Sequence, residues 1–107
     1  MIGRIACVLV VLVAGATGAF AKDARCFTTD DGEYDCDFEA TDDAGSFRIS
    51  ADGKPTFEVF IEDGQAYAGA VFAPGGRSVS LPGTYFRSEE DPACWVSDAT
   101  ETQICAW

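Results

Sequence analysis

Apolar and polar side chains alternate along most of this chain after residue 21. A period of two is typical of β-strands that bury one face and expose the other. Residues 34–40 have one apolar and one acidic face, the first formed by Tyr34, Cys36, Phe38 and Ala40 and the second by Asp35, Asp37 and Glu39. Phe47, Ile49 and Ala51 continue the pattern as the next apolar face. We therefore predict short strands in both segments.

Turn signals rich in Gly, Pro and Asp separate these segments at intervals of about 8–12 residues, the spacing typical of all-β folds. No segment shows a sustained helical period. Closure or face-to-face packing would protect the edges of so many short strands. The pattern predicts an all-β fold, a small antiparallel barrel or a two-layer sandwich of about eight short strands.

Asp63-Gly64 is the strongest hairpin signal, because a two-residue turn favours Asp-Gly. Such a turn places Glu62 opposite Gln65 and fixes every later pair. On one face, large side chains then oppose small ones, with Phe57, Val59 and Ile61 facing Ala70, Ala68 and Ala66. We predict that this face points inward. The other face carries Phe60 opposite Tyr67, with Glu58 and Glu62 beside them, an aromatic pair among carboxylates.

Four cysteines follow residue 21, an even number that favours a disulfide framework in a short secreted chain. We predict two local bridges, Cys26–Cys36 and Cys94–Cys105, each joining directly opposed residues of one hairpin. The first hairpin would have Asp30-Asp31-Gly32 as its loop. The alternative is a pair of bridges that join the first hairpin to the last.

The N-terminal segment has the pattern of a secretory signal peptide. Arg4 precedes an apolar run over residues 5–13, and Ala19-Phe20-Ala21 matches a signal-peptidase site. The apolar run is too short to cross a bilayer, so we predict no membrane span. We expect cleavage of residues 1–21, which leaves residues 22–107 as a single disulfide-stabilised β domain. The predicted location is secreted or periplasmic.

Charge and composition exclude several functions. The formal net charge is −11, and −12 once Arg4 is removed, which disfavours nucleic acid and favours cations or basic proteins. The sequence contains no histidine, which rules out histidine-based catalysis and histidine-ligated zinc. The run of Asp and Glu over residues 30–43 lacks the spacing of a calcium loop. We predict no enzymatic activity, no cofactor and no dedicated metal site.

The remaining function is binding. We expect a module for a basic protein partner, of the inhibitor or sequestering type, and the alternative is a β-barrel that binds a cation or a small ligand. An exposed acidic strand, an aromatic pair and an arginine after Pro74-Gly75-Gly76 are the candidate contacts, namely Asp35, Asp37, Glu39, Phe60, Tyr67 and Arg77. The sequence leaves the oligomeric state open.

Overall fold

A computed structural model describes residues 21–107. The predicted signal peptide lies outside the described residues, except for Ala21. The described part of the chain forms nine strands: β1 (Lys22–Thr28), β2 (Gly32–Ala40), β3 (Phe47–Ser50), β4 (Thr56–Glu62), β5 (Gln65–Val71), β6 (Ser78–Ser80), β7 (Tyr85–Arg87), β8 (Cys94–Ser97) and β9 (Gln103–Ala106). Every pair of hydrogen-bonded neighbours is antiparallel.

These strands close into a barrel. Pairing runs from β1 through β2, β3 and β4 to β5, and in the other direction from β1 through β9, β8 and β7 back to β5. The short β6 pairs with the far end of β5, beyond the single β5–β7 bridge between Ala66 and Tyr85. The result is a closed antiparallel barrel of eight strands, and the short β6, which pairs with β5 alone, keeps one free edge. The predicted all-β class is confirmed, and of the two predicted architectures it is the barrel.

The alternating strand directions give the barrel two distinct ends. The loops that follow β1, β3, β5 and β8 lie at one end, which we call the Asp31 end. At the other end, which we call the Trp107 end, lie the start of β1, the loops that follow β2, β4 and β7, and the end of β9. Residues 81–84 connect β6 and β7, which run in the same direction along β5, so they do not form a loop at that end. Basic side chains near both ends lie over aromatic rings, namely Lys54 over Tyr34, Lys22 over Phe38 and Arg87 over Trp95.

The β4–β5 hairpin has the predicted register throughout, from Glu62 opposite Gln65 to Phe57 opposite Ala70. Asp63 and Gly64 both have positive φ, 55° and 80°, as the two central residues of a tight hairpin turn require. The predicted inner face lies in the core, where Val59, Ala66 and Ala70 are fully buried. Other strands complete this core with Ile49, Tyr85, Trp95 and Ile104.

Both predicted disulfides are present, but they differ in geometry. Cys94 lies directly opposite Cys105, as predicted, with 4.0 Å between the Cα atoms. Cys26 instead lies opposite Tyr34, and the bridge to Cys36 runs diagonally over a Cα–Cα distance of 5.9 Å. The predicted direct opposition of Cys26 and Cys36 is therefore wrong, although their connectivity is right.

The turn between β1 and β2 explains this shift. The Asp31 amide donates to the Thr28 carbonyl oxygen at 3.2 Å, which closes a tight turn over residues 28–31. Gly32 follows with a φ of 71° and already pairs with Thr28. The left-handed glycine therefore follows the turn and does not end a loop of residues 30–32. The register moves by two residues, so both cysteines stay on one face and remain within bridging distance.

The two disulfides also lie on different sides of the barrel wall. Cys26 and Cys36 belong to the core cluster. Cys94 and Cys105 alternate with the core residues Trp95 and Ile104, so their bridge lies on the outer side. Disulfide bonds at both places are compatible with an extracellular or periplasmic location.

Candidate partner-binding surface

An acidic depression lies on the outer wall where β1, β2 and the end of β3 meet. Four carboxylates line it, those of Asp23, Asp35, Asp37 and Asp52, and we call this set the acidic trough. The depression has a volume of about 210 Å³. Asp23 lies directly opposite Asp37 on the neighbouring strand. Like charges in direct cross-strand opposition destabilise a sheet, so this pair lowers the stability of the wall.

Two basic residues lie near the trough: Arg25 on β1, and Lys54, which lines a neighbouring depression together with Asp37 and Asp52. Arg25 contacts Asp35 and Glu33, each at 3.4 Å. The Asp35 side chain is 93% exposed and that of Arg25 is 56% exposed. Long contacts between exposed groups contribute little free energy and are screened by salt. Asp35 is therefore accessible to a cationic partner.

Glu39 is engaged differently from the two aspartates before it on β2. Arg48 on β3 lies between Glu39 on β2 and Glu58 on β4, and contacts their carboxylates at 2.9 Å and 3.1 Å. The hydrogen bond that Arg48 donates to the Glu58 carboxylate is the main cause that raises the pKa of Arg48. We call these three residues the Arg48 ladder. It joins three strands across the outer wall, and Glu39 serves this internal contact.

Phe60 and Tyr67 lie on the outer side of the wall beyond the Arg48 ladder. They are directly opposed and remain 49% and 45% exposed. Glu58 and Glu62 flank Phe60 on the same face of β4. The acidic trough and the aromatic pair therefore lie on the same outer side of the wall, and the Arg48 ladder lies between them.

Arg77 lies apart from this surface. It is exposed in the loop between β5 and β6, at the Asp31 end. Within the described part of the chain, no carboxylate lies within 4.0 Å of its guanidinium group. The structure does not bring it together with Asp35, Asp37 or the aromatic pair.

The sequence pattern did not predict two members of the acidic trough, Asp23 and Asp52. Asp23 precedes the strand patterns that the sequence makes obvious, and only the β1–β2 register places it against Asp37. The alternation of Asp23, Arg25 and Phe27 with Ala24 and Cys26 was the available signal. Asp52 has the sequence context of an ordinary turn residue, and the folding of the β3–β4 loop alone brings it beside β2.

The trough carboxylates stand side by side and do not converge. Among residues 21–107, no group of three or more Cys, Asp or Glu side chains is positioned to hold a metal ion. The described residues also include no helix that is long and apolar enough to cross a membrane.

Comparison with known proteins adds no relative to this picture. No protein-family model matches the chain, and neither the curated proteins nor the solved structures contain a significant match. The geometry of the barrel is therefore the basis for a functional assignment.

Proposed function

We propose that this protein is a secreted or periplasmic, non-catalytic binding module that docks a basic protein on the acidic trough. The observation that carries the proposal is the direct opposition of Asp23 and Asp37 at exposed positions. A cross-strand carboxylate pair is locally unfavourable, and such violations of local stability are characteristic of functional surfaces. A lysine or arginine of a partner would relieve the repulsion on binding.

The distribution of charge supports the same proposal. The described residues contain six Lys and Arg side chains, and five of them lie against carboxylates or aromatic rings of this chain, with Arg77 as the sixth. Most carboxylates have no such internal partner. This excess produces a negative field that accelerates the encounter with a cationic protein.

The aromatic pair supplies an apolar contact on the same outer surface. Partly exposed aromatic side chains near charged groups are frequent anchors of protein interfaces. We therefore assign Phe60 and Tyr67 to the margin of the interface and Asp23, Asp35 and Asp37 to its charged centre. Glu39 supports the wall through the Arg48 ladder, and we expect it to contribute less to binding.

The first experiment is a capture assay with the oxidised protein against envelope and secreted proteins, at about 50 mM and about 500 mM salt. A basic protein retained only at the lower salt concentration is then purified and its Kd is measured. Failure to retain any basic protein at the lower concentration contradicts the proposal.

Matched variants separate specific docking from general electrostatic attraction. The double variant Asp23→Asn/Asp37→Asn removes two charges from the trough, and Glu89→Gln/Glu90→Gln removes two from an exposed loop at the Trp107 end. We expect the trough variant to weaken binding about tenfold, the equivalent of ~1.4 kcal/mol. The loop variant should change the Kd about twofold at most, through the general field alone. Equal effects of the two variants would indicate that net charge alone accounts for the attraction.

The same trough variant should not lose stability. Removal of the Asp23–Asp37 repulsion should raise the free energy of unfolding by about 0.2–1 kcal/mol. A gain in stability with a loss of binding is the behaviour expected of a surface kept for function. Thermal unfolding at low salt measures the difference.

A further inference from the structure

The short strand β6 is the one described strand with a single hydrogen-bonded neighbour, because it pairs with β5 alone. The Leu81 amide donates to the Ala68 carbonyl oxygen at 2.8 Å, and Ser80 lies opposite Gly69 as the next pair of the same ladder. Successive residues of an antiparallel strand direct their backbone groups to opposite sides. The N–H and C=O groups of Ser78 and Ser80 therefore point away from β5, towards the free edge.

This edge is open in the described part of the chain. All three residues of β6 are exposed, and within residues 21–107 no backbone hydrogen bond from any strand other than β5 reaches Ser78 or Ser80. The short length of the strand limits non-specific pairing, but the charged side chains or prolines that usually protect a free edge are absent from Ser78–Ser80. Such an edge is a template for the addition of an extended peptide strand.

The side chains beside the free edge are apolar and only partly covered. Val79 lies opposite the core residue Ala70, which places Val79 on the inner face of the wall, yet it remains 48% exposed. Phe72 is 59% exposed and lines a cavity of about 300 Å³ at the Asp31 end, together with Leu81. An added strand would direct alternate side chains to this inner face, where apolar residues would cover Val79 and extend into the cavity.

The charges at the two ends of β6 have opposite signs. Arg77 immediately precedes the strand, and no carboxylate of the described residues lies within 4.0 Å of its guanidinium group. Asp98 follows β8, on the side of β7 away from β5, and its carboxylate accepts a hydrogen bond from the Thr84 amide at 3.0 Å. A strand antiparallel to β6 would begin near Asp98 and end near Arg77. A basic residue at its start and an acidic residue at its end would complement these charges.

We propose that the free edge of β6 binds an extended segment of a partner protein as an added antiparallel strand. The segment has apolar residues at alternate positions, a basic residue before them and an acidic residue after them. A second copy of this chain fits the edge poorly, because two strongly acidic domains repel each other and an edge of three residues buries too little area for a stable dimer. The edge is separate from the acidic trough and adds a second binding site to the one proposed there.

Two capped hexapeptides of identical composition test the charge order by calorimetric titration of the oxidised protein. The Lys-first peptide is acetyl-Lys-Val-Thr-Val-Thr-Glu-amide, whose valines lie opposite Leu81 and Val79, and the Glu-first peptide exchanges its Lys and Glu. Because their net charges are equal, the general field of the protein acts on both alike. We expect saturable binding of the Lys-first peptide below about 1 mM. The Glu-first peptide should bind about threefold more weakly at low salt, in the range of exposed ion pairs.

Arginine variants locate the acidic end of the peptide. Arg77→Gln should remove the difference in Kd between the two peptides. Arg25→Gln is the matched control, since Arg25 is also exposed but lies on β1, and this variant should keep the threefold difference.

Backbone N-methylation of the Lys-first peptide is the decisive measurement, since it leaves the protein unchanged. The amides of its two Thr residues face β6, opposite Ser80 and Ser78, and those of its two Val residues face away. N-methylation of both Thr residues should weaken binding at least about tenfold through loss of two backbone hydrogen bonds, whereas N-methylation of both Val residues should change the Kd about twofold at most.

Variants of the edge test the same contact from the side of the protein. Ser80→Pro removes an N–H group that faces the free edge and no hydrogen bond to β5, so the fold should tolerate it. It should weaken binding of the Lys-first peptide about fivefold or more. Ser80→Ala keeps the N–H group and should bind as the parent protein does. Asp23→Asn/Asp37→Asn should leave the binding unchanged, which separates the edge from the acidic trough. Thermal unfolding shows whether each variant is folded.

The proposal is overturned if the Lys-first peptide shows no saturable binding below about 1 mM, or if N-methylation at Thr and at Val has the same effect. It is equally overturned if the two peptides bind with the same Kd, or if folded Ser80→Pro binds as tightly as Ser80→Ala. A concentration-dependent dimer that Ser80→Pro abolishes would assign the edge to a second copy of this chain, against the proposal.

Discussion

The inner and outer faces of the barrel wall are built from the same strands but follow different rules. The inner face is mainly apolar, with Thr28 and Ser97 as buried polar residues, and large side chains such as Val59 lie opposite small ones such as Ala68. The outer face is divided. From β1 to β4 it carries carboxylates and the Arg48 ladder, whereas β7 and β8 present Phe86 and Val96 in direct opposition. Burial dictates the inner residues, and the outer ones are free to serve binding.

The two disulfides sharpen this comparison, because they close loops of nearly equal length. The paired cysteines are 10 and 11 residues apart in sequence. One bridge lies within the core and the other lies on the outer side, yet loop entropy predicts a similar contribution from each, about 2.7 kcal/mol. The local connectivity follows from chain entropy and hairpin geometry, and it does not depend on which face the cysteines occupy.

The largest expected effect is the difference in the free energy of unfolding between truncation of a buried side chain and truncation of a larger, exposed one. Ile49→Ala leaves a cavity in the core and should lower the free energy of unfolding by about 2–5 kcal/mol. Phe60→Ala removes a larger side chain from the outer face and should change it by about 0.5 kcal/mol. Denaturant unfolding of the two oxidised variants measures both. Similar losses would contradict the assignment of Phe60 to a functional surface.

The pH dependence of stability tests the burial of two tyrosine side chains on the inner face. Burial is the main cause that raises the pKa values of Tyr34 and Tyr85 above 10.0, and nearby Asp31 adds to the effect at Tyr34. The folded protein therefore holds these protons more tightly than the unfolded chain. The resulting stability is fully present below about pH 10 and is lost as the pH rises through the folded-state pKa values. We expect the melting temperature to fall above that pH.

The double variant Tyr34→Phe/Tyr85→Phe is the comparison for this titration. Without the two phenols, the melting temperature should fall less steeply above about pH 10. Thermal unfolding monitored by circular dichroism across this range gives both slopes. Identical slopes would mean that the buried phenols do not control the alkaline limit of stability.

The smallest expected effect concerns the outer face at the Arg48 ladder. Arg48→Met removes the cation and leaves Glu39 and Glu58 without it, at partly exposed positions. The loss should be about 0.5–1 kcal/mol at low salt, in the range of exposed ion pairs. It should shrink at about 500 mM salt, where the charges are screened. A large loss that is insensitive to salt would indicate that the Arg48 side chain acts through packing.

Much of this fold was accessible from the sequence by itself. Alternation of apolar and acidic residues identified β2, the Asp63-Gly64 turn fixed the complete β4–β5 register, and the cysteine spacing predicted both bridges. Each of these inferences rests on contacts between residues close in sequence. The same register placed Phe60 and Tyr67 together on the other face, because successive side chains of a strand point to opposite faces. Their exposure was decided only by the barrel, since the second layer of a sandwich could have covered that face.

Tertiary structure alone decided the features that depend on distant residues. Closure of the barrel requires β1 to pair with β9 and β5 with β7, contacts that no local pattern specifies. The first hairpin has the predicted disulfide, but its register differs by two residues from the predicted one. The sequence alone did not fix where Gly32 lies in the turn. The acidic trough gathers Asp23 and Asp52 beside β2, and a cavity at the Asp31 end gathers side chains from several loops and strands. Local periodicity determines which residues face inward, whereas the folding of the whole wall determines which of them meet.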